Sequence, residues 1–566
     1  MIKNYSYIVI FLAAGFIVSL ANLKCGGYQG ALEKVGYDPI ATISGLPNLE
    51  INQNNLFQYV FSTNGSLYRI MMSANYHLVG KKISDFWHIS FFGNLLLILS
   101  VYFIFRNSSK ELQIFSILCT LSLPIFSHHL IHIVGHREAY SGLFGIVYWP
   151  LELDNVWGDW SNIVLKADYY AAVFTCLGCV LFYVVIANRD YKNPVLYSFT
   201  FGLISSISFL FKAHQVPSIL LGILFFLFVL FLLSEKKANV YLHFTLFIFA
   251  LVLILGLMSF FGGLEAGLDY IKEATHHPLR FSETYIKSRY GLFWYFCIIP
   301  SLLGFCPLFI IFNKTQTFLL NWKSRGKPYY SAFLLASLMM ALPSFIPGSP
   351  KNMSMMLPSM LFLYSGCLCM LSNNNKVDSL IKKTVIVENI FFLCFFTFLC
   401  YSFVKENRSY GEFWKKIRST NSREEKIVKE VTNKIIEMNC SLILTPNTSA
   451  GFPDRIMYEY YIETGKKAPL CNFDPIFQDK NGQWPSAVSI VSRFKPNDMI
   501  LVMEDTKVKK FPLEPGGLRQ NIEDLKIQIA KQPAFVKVLN YDIQSNTGFL
   551  FYAPSPFNVS LYMYCP

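Results

Sequence analysis

Lys24-Cys25-Gly26-Gly27-Tyr28, Gly36-Tyr37-Asp38-Pro39 and Ser66-Leu67-Tyr68-Arg69-Ile70-Met71-Met72-Ser73-Ala74-Asn75-Tyr76-His77 mark out residues 23–83, a polar stretch between two apolar runs. About sixty residues following directly on a first apolar run are too many for a plain connector. The stretch carries an isolated acid at Asp38 and closes on an amphipathic helix predicted over 67–79. It reads as the roof of a site at a membrane surface.

The rest of the chain supplies the membrane. Of its 566 residues 53% are hydrophobic and only 15% charged, with 16% aromatic. A water-soluble chain of this length carries about 25% charged residues. Apolar runs of about 18–22 residues, enough to cross a bilayer's hydrocarbon core, recur up to residue 404. They predict about eleven spans, at 5–22, 86–105, 112–130, 168–187, 195–211, 216–234, 239–261, 291–312, 329–346, 353–372 and 384–404. The fold class is a polytopic α-helical membrane protein.

The net charge of +13 belongs to this topology and not to a nucleic-acid partner. Lys3, Arg106, Lys110, Arg189, Lys192, Lys236, Lys237, Lys314, Lys323, Arg325, Lys327, Lys376, Lys382 and Lys383 all fall on alternate, short connectors. The positive-inside rule then sets the N-terminus in the cytoplasm and residues 405–566 outside. The long connectors 23–85, 131–167 and 262–290 become outer loops. Residues 5–22 lack a following small-x-small site and read as a retained signal-anchor. The thirteen cysteines show no CxxC pair and no zinc spacing, and most lie in apolar runs.

Beyond Val404 the pattern changes to alternating helices and strands. Helices are predicted at 422–439, 454–465 and 518–531, and strands at 441–445, 487–491, 499–503, 535–539 and 548–552. The expectation is an extracytoplasmic α/β domain over 405–566, behind a membrane domain over 1–404. It contains no GxGxxG and no Walker lysine, so nothing points to a nucleotide.

Candidate chemistry gathers on the outer side. Nine of the ten histidines sit on outer connectors or outer ends of spans, and only His243 lies inside. On one helix His128, His132 and His136 would share a face, which is metal-ligand spacing with Glu138 nearby. Interfacial hydrogen bonding accounts for the same residues without a metal. Asp38 reads either as a general base or as an Asp-Pro turn. Lys212, in Phe211-Lys212-Ala213-His214-Gln215, and Lys351, in Ile346-Pro347-Gly348-Ser349-Pro350-Lys351-Asn352, could meet a lipid phosphate or simply snorkel. Arg280 in loop 262–290 suits bidentate phosphate recognition, with surface solvation the usual alternative.

With these residues on the page, the chain resembles the GT-C class of integral-membrane glycosyltransferases, among them protein mannosyltransferases and the bacterial enzymes that transfer aminoarabinose to lipid A. The resemblance lies in one pass followed by a long acid-bearing loop, the 67–79 helix, and a C-terminal outer domain. It also lies in Pro347–Met353 running into Leu357-Pro358-Ser359-Met360-Leu361. The acidic pair usual in the first loop is here Asp38 alone, with Glu33 and Glu50 at other spacings.

The resemblance implies inverting transfer of a sugar from a polyprenyl-phosphate donor to a glycan, lipid or protein acceptor on the extracytoplasmic side of a cell membrane. It implies Asp38 as base, Glu138 as second acid, and Lys212, Arg280 and Lys351 around the lipid phosphate. It leaves a divalent metal at His132 and His136 open. A non-catalytic scaffold remains the main alternative. A transporter fits less well, because spans 168–312 hold almost no mid-span charge for an ion relay.

Overall fold

The computed structural model describes residues 55–80, 87–106, 113, 167–187, 194–234, 237–276, 329–342, 353–372, 426–440, 443–445, 452–466, 468–472, 487–505, 518–543 and 557–566. The elements that follow are those of the described residues.

Two helices of the first loop come first, α1 (Leu56–Ser62) and α2 (Ser66–Leu78). Gly65 separates them at φ 74°, a left-handed turn that a residue with a Cβ adopts only under strain. The predicted 67–79 helix is therefore present, one residue earlier. It buries Tyr68, Met72 and Tyr76 at helical spacing.

The apolar helices are α3 (Trp87–Phe105), α4 (Ala167–Ala187), α5 (Pro194–Phe211), α6 (Val216–Leu233), α7 (Lys237–Phe260), α9 (Ser331–Ala341) and α10 (Met353–Ser372). A short amphipathic helix, α8 (Gly263–His276), follows α7 after Gly262 turns the chain at φ 85°. Each apolar helix falls on a predicted span. Three helical stretches, Ala167–Ile186, Ala213–Leu233 and Val240–Phe260, are long and apolar enough to cross a membrane. The predicted spans 5–22, 291–312 and 384–404 lie outside the described residues, as does all of 112–130 except Gln113.

Helix α4 is the centre of the bundle and packs on α3, α5, α6 and α10. Its span window is 89% buried against 33% for that of α7, so α7 is a rim helix facing lipid. Close approach comes from small residues. Gly178 of α4 lies against the Phe201 carbonyl, and Gly202 of α5 against Ala250. Rings fill the remaining space, Phe182 on Phe247 at 4.7 Å and Phe226 on Phe333 at 4.7 Å. Buried polar groups pair between helices, Ser198 with His243 at 2.7 Å and Ser359 with the Ser337 carbonyl at 2.6 Å.

The C-terminal residues alternate as expected: α11 (426–438), β1 (Ile443–Thr445), α12 (Phe452–Thr464), β2 (Leu470–Asn472), α13 (Ala487–Val491), β3 (Met499–Asp505), α14 (Leu518–Lys531), β4 (Phe535–Ile543) and β5 (Phe557–Tyr564). The sheet order is β2-β1-β3-β5-β4, with β2, β1 and β3 parallel and β5 antiparallel to both neighbours. Strand β3 shows why it needs helices on both faces. Met499 and Leu501 pack with Ile427, Val431 and Ile456 on one side. Ile500 and Val502 pack with Ile490, Leu525 and Ile529 on the other.

One prediction here is corrected. Residues 487–491 form a helix, not a strand. Ala487, Ile490 and Val491 are spaced i, i+3 and i+4, and Ile490 and Val491 are buried while Val488 is exposed. Helical spacing outweighs the β-branched composition. The strand predicted at 548–552 lies outside the described residues, and β2 and β5 fall where the sequence reading places no element.

Candidate functional site

Three connectors, the first loop, the α5–α6 turn and α8, meet where α4 begins and α5 ends. The turn between α5 and α6 is only Lys212 and one 3-10 turn, Ala213–Gln215. Lys212 Nζ donates to Asp168 Oδ2 at 2.9 Å, and Gln215 Nε2 donates to Asp168 Oδ1 at 2.5 Å. Both carboxylate oxygens are thus engaged. Asp168 is 3% exposed and Lys212 21%, so the acid is sealed while the ammonium stays at the rim. A carboxylate in the first turn of α4 also lies at the positive end of that helix's dipole.

The first loop grips the same turn. Asn64 Oδ1 accepts the backbone N–H of Ala213 at 2.9 Å, and Asn64 Nδ2 lies 3.4 Å from His214 Nδ1. Ser66 Oγ, also buried, donates to the Val60 carbonyl at 2.6 Å and closes the α1–α2 corner. From the third connector, Tyr270 of α8 stacks on the His214 ring at 4.4 Å and 30°. Gly267 lets α8 lie directly on Ala213, since any Cβ there would come within 2.8 Å of the Ala213 carbonyl carbon. Beneath, Tyr170 donates to the Ile89 carbonyl at 2.5 Å and stacks on Phe211 at 5.4 Å.

The C-terminal region reaches this end of the bundle too. Tyr461 of α12 is buried in the same apolar cluster as the spans, with its ring 6.1 Å from that of Tyr76 on α2. Helix α2 therefore has the spans beneath it and α12 beside it.

Of the candidate catalytic, phosphate-binding and metal residues, Lys212 is the one within the described residues, and it stands in this cluster. Asp38, Glu138, Arg280, Lys351, His132 and His136 lie outside the described residues. Among the described residues no three His, Cys, Asp or Glu side chains come together as a metal site. The sequence reading missed Asp168, Gln215, Asn64 and Tyr270. Asp168 carried a signal, an acid just inside a predicted span, which burial makes costly unless it is paired.

No family model and no curated protein sequence matches the chain. Matches among solved structures include ArnT from Cupriavidus metallidurans in the apo state, with a TM-score of 0.55 over 99% of this chain and 98% of that one. They also include ArnT from the same organism bound to undecaprenyl phosphate, with a TM-score of 0.51 over 98% of each chain. Identity is 10% in both comparisons. The likeness is one of fold, and it runs the length of the chain. The fold is that of ArnT, a polytopic membrane fold.

Proposed function

We propose that the chain is a membrane glycosyltransferase that moves a sugar from a polyprenyl-phosphate donor to an acceptor on the extracytoplasmic side. The observation that carries this reading is the Asp168–Lys212–Gln215 cluster, set under the first-loop helices α1 and α2 in a fold shared end to end with ArnT. An amphiphilic donor keeps its tail in the bilayer and its phosphate at the headgroup level. A fixed cation at the end of two apolar helices is placed for such a phosphate.

In this reading about eleven spans leave the N-terminus in the cytoplasm and residues 405–566 outside as a separate domain. Asp38 takes the proton of the acceptor hydroxyl as its oxygen attacks the anomeric carbon. The bond from that carbon to the phosphate oxygen breaks on the opposite face, so the configuration inverts and polyprenyl phosphate leaves. Glu138 orients the acceptor. Lys212, Arg280 and Lys351 meet the charge growing on the phosphate oxygens. Asp168 and Gln215 act on Lys212 and not on the sugar: they fix where the ammonium stands. His132 and His136 are the residues proposed for a divalent ion should transfer prove metal-dependent.

The test is expression of the wild type, Asp38→Asn and Lys212→Met in the native host, with profiling of cell-surface glycans. Wild type should alter one glycan and both variants should lose the effect. An equally active Asp38→Asn removes Asp38 as the base. A wild type without effect on any glycan, in cells that contain the folded protein, favours the scaffold instead. Orientation is tested separately with cysteines at exposed Lys272 and Lys531, which a membrane-impermeant maleimide must reach from outside intact cells.

A further inference from the structure

Three large apolar side chains stand uncovered where the first loop meets the end of α7. Leu56 and Phe57 of α1 are 44% and 59% exposed, and Phe260 is 81% exposed. The Phe57 ring lies 4.9 Å from Phe61 and meets Phe261 edge-on at 5.7 Å. Phe61 stacks on Phe261 at 6.3 Å, and Phe260 meets Phe261 edge-on at 4.9 Å. Two rings of this cluster face inward and two face out.

The arrangement is held by backbone and is not a loose loop tip. Gly263, the first residue of α8, lies so close to the Phe61 carbonyl that no Cβ fits between them. Helix α1 carries no charge in Leu56-Phe57-Gln58-Tyr59-Val60-Phe61-Ser62. Its uncovered side chains adjoin those of α7, where Phe249, Val252 and Leu253 are also exposed. The exposed face of α7 is a lipid-facing surface, since its apolar window is only one-third buried within the protein. The charged pair Asp269–Lys272 on α8, largely exposed, marks where the surface turns to water.

A patch of two phenylalanines and a leucine facing water is unfavourable, whereas facing acyl chains it costs nothing. From this continuity we propose that α1 is seated in the membrane, with Leu56 and Phe57 among phospholipid acyl chains beside Phe260. The first loop is then pinned to the bilayer at one end and, through Asn64, to the Lys212 turn at the other.

The test uses the full chain in phosphatidylethanolamine–phosphatidylglycerol liposomes containing a trace of phospholipid with a diazirine high on its acyl chain. After irradiation and digestion, adducts are mapped by mass spectrometry. Adducts on Leu56 and Phe57 should match in yield those on the Phe249–Leu253 segment and exceed severalfold those on Asp269–Lys272. A parallel sample with a water-soluble diazirine should reverse that order. An unlabelled α1 beside a labelled α7, or aqueous labelling of Phe57, each overturns the proposal. No readout depends on sugar transfer, so the result stands apart from the enzymatic reading.

Discussion

Lys212 reaches back 44 positions to donate to Asp168 at 2.9 Å, tying the end of α5 to the start of α4. The pair is unequal, because the carboxylate is sealed and the ammonium is at the rim. Removing the cation strands a buried charge, and breaking such a pair costs about 3–5 kcal/mol. Lys212→Met should therefore lower the thermal unfolding midpoint in detergent more than Asp168→Asn does. The double variant should recover part of the loss. If transfer stays absent in the recovered double variant, Lys212 serves the phosphate as well as the fold. Equal effects of the two single variants would contradict the asymmetry.

Asn64 links the first loop to that turn by accepting the N–H of Ala213, which is buried. Asn64→Ala leaves the donor unsatisfied, at about 1–3 kcal/mol. Asn64→Asp keeps an acceptor in place and should retain most of the stability. Limited proteolysis reads the difference locally, with faster cleavage around 55–80 in Asn64→Ala only. The same bond makes the Asn64-Gly65-Ser66 sequon a poor glycan acceptor in the folded protein. Indistinguishable cleavage of the two variants would leave the clamp without energetic weight.

These two predictions concern residues of unequal legibility. The spans could be read from sequence because about twenty consecutive apolar residues have one stable use in a membrane, and α3 through α7 begin and end within a few residues of expectation. Lys212 could be read too, since a cation in so short a turn has few places to go. Asp168 could not be matched to it, because which two helix ends adjoin is set by packing of Gly178 and Ser205 deep between α4 and α5. Asn64 and Tyr270 reach the same turn from connectors whose register the sequence does not carry. In the C-terminal region, Phe557, Val559, Leu561 and Met563 alternate as β5, a period-2 strand signal present in the sequence. The three-residue β2 was too short to show a period.

Gly178 and Gly222 separate two kinds of close packing. A Cβ on Gly178 would fall 2.6 Å from the Phe201 carbonyl oxygen, part of a helix backbone that cannot yield locally. On Gly222 the nearest atoms belong to the Met340 side chain, which can turn aside. Gly178→Ala should cost about 1–3 kcal/mol by forcing α4 from α5, and Gly222→Ala clearly less. Thermal unfolding of the two variants in the same detergent decides it. A larger loss at Gly222 would mean that Met340 is rigidly held.

Tyr541 of β4 donates to Glu430 Oε2 of α11 at 2.5 Å, across 111 positions. The hydrogen bond, then burial, then the carboxylate's charge push its phenol up to about 12. An unfolded tyrosine ionises near 10. The folded state therefore holds this proton more tightly, so the contribution is fully present below pH of about 10 and is lost as pH rises toward about 12. Tyr541→Phe should destabilise the C-terminal region by about 1 kcal/mol at neutral pH, a figure scaled for partial solvent contact. The gap to wild type should close across that alkaline window. Ultraviolet titration provides the direct measurement: the wild-type minus Tyr541→Phe difference should show one phenol ionising about two pH units above free tyrosine. A difference curve centred near pH of about 10 would mean that the Glu430 bond does not hold the proton in solution.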